Sequence, residues 1–151
     1  MFFPFVIIFS NIIISAPNLT VDEAWVAAEI ANIADDIRDM PMGMKTVISE
    51  GQGSISGGQK QRIMIARAIV HKPRILIFDE ATSALDPVVE KKIMDNIKRR
   101  GCTCVIVAHR LSAIRDCDQI IVMNRGKIVQ RGSHDELAYV DGHYKRFISN
   151  L

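Results

Sequence analysis

The residues best suited to chemistry in this sequence are a serine, two glycines and a glutamine, Ser56-Gly57-Gly58-Gln59, standing directly before a basic, apolar-periodic run. Ser56 and Gln59 have the spacing of a capping box, which predicts a helix starting there. A helix N-terminus offers unsatisfied N–H groups and the positive end of the dipole. Gly57 and Gly58 have no side chains to cover those groups. A phosphate can therefore approach the amides, with the Ser56 hydroxyl adding a hydrogen bond. Taken alone, Ser-Gly-Gly is better read as a turn before a capped helix.

Three further groups point the same way. The stretch "ILIFDE" ends an apolar run in two carboxylates. Strands of open α/β sheets deliver ligand residues at their carboxyl ends. Asp79 is then placed to hold Mg²⁺, directly or through water, and Glu80 to orient or deprotonate a water for in-line attack on a γ-phosphate. The following "SALD" puts Asp86 at a helix N-cap near the same rim, where capping beside Pro87 is a sufficient role for it. The stretch "VIVAHR" ends a second apolar run in His109, a group able to hydrogen-bond a γ-phosphate from a strand's carboxyl end.

The elements that must position these groups follow from composition and pattern. The length of 151 residues is that of one domain with a buried core. A formal net charge of +2 does not favour a nucleic-acid partner. Cys102, Cys104 and Cys117 show no CxxC spacing and read as free thiols in a reducing cytosol. The apolar start "MFFPFVIIFSNIII" has no Lys or Arg before Arg38, so the charged region of a signal peptide is missing. It is broken by Pro4, Ser10 and Asn11 and is shorter than the roughly 20 residues that span a bilayer. The expectation is a buried strand or strand-like segment, with a membrane anchor as the less favoured alternative.

A capping box at Thr20 and Glu23 opens a helical block over residues 18–44, with a second short helix from Asp35 to Met40 stopped before Pro41. A glycine-rich connection, residues 50–58, leads to a helix from Gln59 to Val70. Ile75–Phe78 and Thr103–Ala108 read as fully buried strands. Asp86-Pro87 opens a helix to about Arg99, and a short helix covers Leu111 to Arg115. Gln119–Met123 and Lys127–Gln130 flank a hairpin turn, and Ser133 with Glu136 caps a last helix. The alternation predicts an α/β fold, a mostly parallel sheet flanked by helices.

The chain resembles the nucleotide-binding domain of an ABC transporter, on "ISGGQKQRIMIARAIVHKPRILIFDEATSALD" followed by "VIVAHRLSAIRDCDQIIVMNRGKIVQRGSHDEL". The resemblance runs from about Asn18 to the C-terminus and is faint before about Ser15. It implies a partial P-loop NTPase fold in which residues 18–58 form the helical signature subdomain, residues 59–151 belong to the ATPase core, and residues 1–17 are a divergent apolar segment. It implies that Ile55 to Gln59 are the signature, with Ile55 where Leu is usual. Asp79 and Glu80 match the Walker B aspartate and catalytic glutamate, Ser83 to Asp86 the D-loop, and His109 the switch histidine. ATP and Mg²⁺ are the implied ligands. The implied partners are a second ABC ATPase domain, paired head to tail, and the transmembrane domain of an exporter at the cytoplasmic face of the plasma membrane. Residues 46–53, "TVISEGQG", resemble the exporter loop that touches the membrane domain, and "LTVDEAWVAAEIANIADDIRDMPMGM" resembles exporters of bacteriocins of the nitrile-hydratase-leader type.

One family motif is not found. The phosphate-cradling G-x-x-x-x-G-K-[ST] does not occur, and the Gly126-Lys127 pair is followed by Ile128 in the hairpin. The expectation is an exporter ATPase fragment, from a truncated frame or a pseudogene remnant, inactive alone. The alternative is a non-catalytic module that docks on an intact transporter subunit. A chromosome-maintenance ATPase is disfavoured, because no coiled-coil segment is present and "DEATSALD" is transporter-like.

Overall fold

The computed structural model of the chain describes residues 6–48 and 55–150. The fold is mixed α/β, and the chain divides into two compact units, Met1–Val105 and Ile106–Leu151. The described strands form three two-stranded sheets.

The first unit opens on a two-residue strand, β1 (Val6–Ile7), followed at once by helix α1 (Ile8–Ile13). Among the described residues of the apolar start only Val6 and Ile7 are therefore extended, and the strand-like segment expected there is, from residue 8 on, a helix. Ile8, Ile12 and Ile13 are buried along α1. Asn11, which looked like an interruption of the apolar run, is fully buried. Its side-chain oxygen and backbone carbonyl both accept hydrogen bonds from Arg67, at 2.7 and 2.6 Å. The polar residue is thus a tie between helices, and a helical path is what brings it to that guanidinium. No helix among the described residues is long and apolar enough to cross a membrane.

Helix α2 (Val21–Ile30) starts at the expected capping box, with both reciprocal hydrogen bonds of Thr20 and Glu23 formed. It ends where Asn32 takes a left-handed backbone, φ 52°, which asparagine tolerates better than most residues. Helix α3 (Ala34–Asp39) and a 3-10 turn (Gly43–Lys45) lead to β2 (Val47–Ile48), which pairs antiparallel with β1. Residues 49–54, which take in the first five residues of the glycine-rich connection 50–58 and most of the exporter-type loop, lie outside the described residues.

Helix α4 (Gly57–Ile69) is the centre of this unit, contacting α1 and α2. Ile63, Ile65, Ala66 and Ile69 are buried on it, at the spacing of one helical face. Strand β3 (Ile75–Asp79) and helix α5 (Pro87–Lys98) follow; α5 packs against α2 and buries Ile93 and Ile97. Strand β4 (Thr103–Val107) is hydrogen-bonded to β3.

These strands differ from the fully buried ones expected. Along β3, Leu76 and Phe78 are buried, whereas Ile75 and Ile77 are 63% and 71% exposed. Side chains alternate between the two faces of a strand, and no described element covers the second face. A continuous apolar run was read as two-sided burial, which periodicity by itself does not establish.

The second unit contains α6 (Leu111–Ile114), the hairpin β5 (Ile120–Asn124) and β6 (Lys127–Gly132), then α7 (His134–Ala138) and α8 (His143–Ser149). Arg125 and Gly126 both have positive φ, 48° and 75°, the geometry of the two-residue turns that suit the right-handed twist of a hairpin. The core joins Ile120, Leu137 and Tyr144. The Tyr144 hydroxyl lies 2.8 Å from His134 Nδ1, so this buried phenol keeps a hydrogen-bond partner.

Candidate functional site

The start of α4 is built by its own sequence. Ser56 is the N-cap in an extended conformation, its Oγ accepting the Gln59 N–H at 3.2 Å. Gln59 Oε1 in turn accepts the Ser56 N–H at 2.9 Å. Ile55, one residue earlier, is buried and anchors the entering chain. Ser56 and Gly57 are exposed, and the first turn carries no acidic side chain.

The two glycines are not explained by packing. A Cβ at Gly57 would meet nothing within 4 Å, and one at Gly58 would lie 3.4 Å from the Ala84 carbonyl oxygen, an ordinary contact. Neither has a positive φ. A helical glycine costs up to about 1 kcal/mol relative to alanine. The fold therefore carries a small cost at Gly57 with no internal return, and leaves Gly57 exposed at the first turn of α4.

Helix α4 also holds the segment after β3. Gln61 Nε2 donates to Ser83 Oγ at 3.2 Å, and Gln61 Oε1 accepts the Ala84 N–H at 2.9 Å. Ser56–Gln59 and Ser83–Asp86 are thus brought side by side. Asp86 is the N-cap of α5, its Oδ1 accepting the N–H groups of Val88 and Val89, both at 3.0 Å. Thr82 turns inward and bonds Glu90, which is buried on α5.

The two carboxylates stand where the strand reading put them. Asp79 is the last residue of β3 and Glu80 follows it, both exposed. Glu80 takes a left-handed backbone, φ 49°, and its carbonyl accepts the Ser83 N–H at 3.1 Å. That conformation is strained for a non-glycine residue, and such strain collects at functional sites. His109 follows β4 in the second unit, exposed, in the bend before α6.

Three residues given no role in the sequence reading, Asp36, Arg62 and Gln61, lie beside these groups. Asp36, on α3, accepts Gln59 Nε2 at 2.9 Å and both terminal nitrogens of Arg62, at 2.8 and 3.0 Å. Arg62 also donates to the Asn32 carbonyl. Asp36 and Arg62 are 26 residues apart, so no local spacing signals the pair. Gln61 stood in the quoted "SGGQKQR" without an assigned role.

Burial is the largest influence on the Asp36 carboxyl and opposes ionisation. The hydrogen bonds from Arg62 and Gln59, with the Arg62 charge and a backbone hydrogen bond, together outweigh it and hold the group below the ordinary aspartate value of 3.8. A carboxyl depressed in the folded state adds stability that is full above its unfolded pKa and is lost as pH falls through the folded one. The stability difference between the chain and Asp36→Asn is therefore expected to be constant at neutral pH and to shrink below about pH 3.8. Urea midpoints of the two proteins measured between pH 7 and pH 2.5 check this.

A family model described as ABC transporter matches residues 5–83. The matched stretch includes the apolar start, so the resemblance begins earlier than Asn18. The alpha-hemolysin translocation ATP-binding protein HlyB of Escherichia coli is 48% identical over 132 residues, covering 86% of this chain and 19% of that protein. ABC transporter B family member 2 of Dictyostelium discoideum is 43% identical over 145 residues, covering 94% of this chain and 10% of its own length. The solved structure of a bacterial Atm1-family ABC exporter with ATP bound superposes with a TM-score of 0.89 at 38% identity, over 97% of this chain and 27% of that one. The chain spans about a fifth or less of the length of these curated relatives.

Proposed function

The chain belongs to the ABC transporter family, and we propose that it supplies the signature side of a composite ATP site, shared head to tail with a second ABC ATPase domain. The observation that carries this reading is the start of α4. Its capping box closes on the N–H groups of Ser56 and Gln59 and leaves those of Gly57 and Gly58 outside it, its first turn has no acid, and Gly57 faces open space that the fold itself does not use. A polyphosphate is the ligand that such a helix end accepts.

In this proposal Ser56, Gly57 and Gly58 take the γ-phosphate of a nucleotide held by the partner domain, Gln59 keeps the helix end shaped, and Asp86 holds the adjoining segment in place. Asp79 and Glu80 face a nucleotide in their own subunit, and His109 is assigned a hydrogen bond to a γ-phosphate. Mg²⁺ binds proteins through one or two carboxylates, with waters and phosphate oxygens completing its shell. An exposed Asp79 with Glu80 beside it fits that donor set, although no cluster of three metal-ligating side chains occurs among the described residues. When bound, the ion would neutralise phosphate charge. The 151 residues hold no G-x-x-x-x-G-K-[ST] sequence. We therefore assign ATP turnover to the pair of domains and not to this chain alone, which is expected to hydrolyse ATP no faster than buffer.

The wider role proposed is export across a membrane, with the chain at its cytoplasmic face against a transmembrane domain. The cargo proposed is a peptide bacteriocin of the nitrile-hydratase-leader type, on the resemblance of residues 19–44 to exporters of that type.

The test is association. The chain is mixed with an intact homologous ABC ATPase domain that has its own phosphate loop, and mass is followed by light scattering. A one-to-one heterodimer is expected with Mg-ATP and separate monomers without it. Equal behaviour in the two conditions overturns the proposal.

A further inference from the structure

We infer that Asp36 is a positioning residue for the phosphate-facing end of α4, acting through Gln59 and Arg62; the functional half of this inference rests on the composite-site reading above. The geometry is specific. Gln59 uses both ends of its amide, Oε1 on the Ser56 N–H and Nε2 on Asp36 Oδ1. In the flipped orientation the amide nitrogen would face the Ser56 N–H donor and the amide oxygen would face the carboxylate. Asp36 therefore selects the one orientation that closes the capping box.

Charge is the second part. A carboxylate one side chain away from an anion site would by itself repel the phosphate. Arg62 answers it with a two-pronged contact, its own side chain only 13% exposed and that of Asp36 30% exposed. Paired in this way the two groups shape the helix end without adding net charge beside it. Removing Asp36 loosens Gln59. Removing Arg62 loosens the same group and leaves an uncompensated negative charge near the phosphate, so it is the more damaging change. Removing both restores neutrality and costs less than the sum of the single changes.

The variants are Asp36→Leu, Asp36→Glu, Arg62→Met and the Asp36→Leu/Arg62→Met double, each in the full chain. Two readouts are taken: the Kd of Mg-ATP-dependent association with the intact domain, and amide hydrogen exchange at Ser56 and Gln59 in the free chain. Asp36→Leu is expected to weaken association about tenfold, the scale of one charge-assisted hydrogen bond, and Arg62→Met more than that. The double variant should fall near Asp36→Leu, and Asp36→Glu should recover most of the loss. Exchange at Ser56 and Gln59 should quicken in Asp36→Leu without nucleotide, while the melting curve stays cooperative. If Asp36→Leu does not fold, Asp36→Asn replaces it with the same expected directions.

Wild-type exchange at these two amides, or wild-type association, in Asp36→Leu (or in Asp36→Asn where it stands in) overturns the inference while leaving the composite site standing. Faster exchange in a chain whose wild-type form shows no nucleotide-dependent association overturns the composite-site reading, and with it the role assigned to Asp36. Additive losses in the double variant overturn the charge-balance argument.

Discussion

Ser56→Arg is expected to abolish the Mg-ATP-dependent association of this chain with an intact ABC ATPase domain, weakening it by about a hundredfold or more. The hydroxyl at this position caps α4, and Ser56 and Gly57 are both exposed. Loss of the cap alone costs about 1 kcal/mol, roughly a factor of five in an equilibrium constant. The larger effect is steric. A long side chain at the N-cap occupies the space through which a phosphate reaches the first amides, and its guanidinium competes for those oxygens in a geometry the site does not share. Isothermal titration or light scattering at fixed nucleotide reads the result. Association within a factor of five of wild type would mean that only the cap had been lost and that the helix end does not meet the nucleotide.

Ile63→Ala is expected to remove about 2–5 kcal/mol of folding stability. Ile63 is fully buried on α4, the helix that contacts both α1 and α2. Truncation there loses the transfer energy of the deleted methyl groups and leaves a cavity that three short helices cannot all close at once. Against a total of roughly 5–15 kcal/mol for a domain, such a loss is a large part of the whole. Met64, next in sequence but 40% exposed, supplies the comparison. Met64→Ala should stay within about 0.5 kcal/mol of wild type, as surface changes do. Urea unfolding of the three proteins measures both values, and a midpoint for Ile63→Ala close to wild type would remove Ile63 from the core.

The parts of this molecule that were legible in sequence are those whose partners lie three or four residues away. The capping boxes at Thr20, Ser56 and Ser133 are all formed as their spacing implied, and Asp86 caps the helix that Pro87 begins. The Arg125-Gly126 turn is equally local. What was not legible depends on distant partners. The burial of one face of β3 and the exposure of the other follow from which elements lie above the strand, not from its own residues. The pairing of Asp36 with Arg62 joins two helices across a long stretch of chain. Gln61 acquires its meaning only when the segment after β3 folds back onto α4. The chemistry-bearing residues were named because their types are unusual where they stand. The residues that hold them in place are ordinary ones, given their roles by the fold.

Asn11 has a consequence for how α1 sits. A short helix bearing Ile8, Ile12 and Ile13 offers nearly the same oily surface after sliding or rotating by part of a turn, and dispersion forces discriminate poorly among such settings. The paired contacts from Arg67 to the Asn11 carbonyl and side chain do discriminate, because both form only at one setting. The interaction thus works as a locating pin. The isoleucines supply adhesion, and a single amide decides where the helix comes to rest.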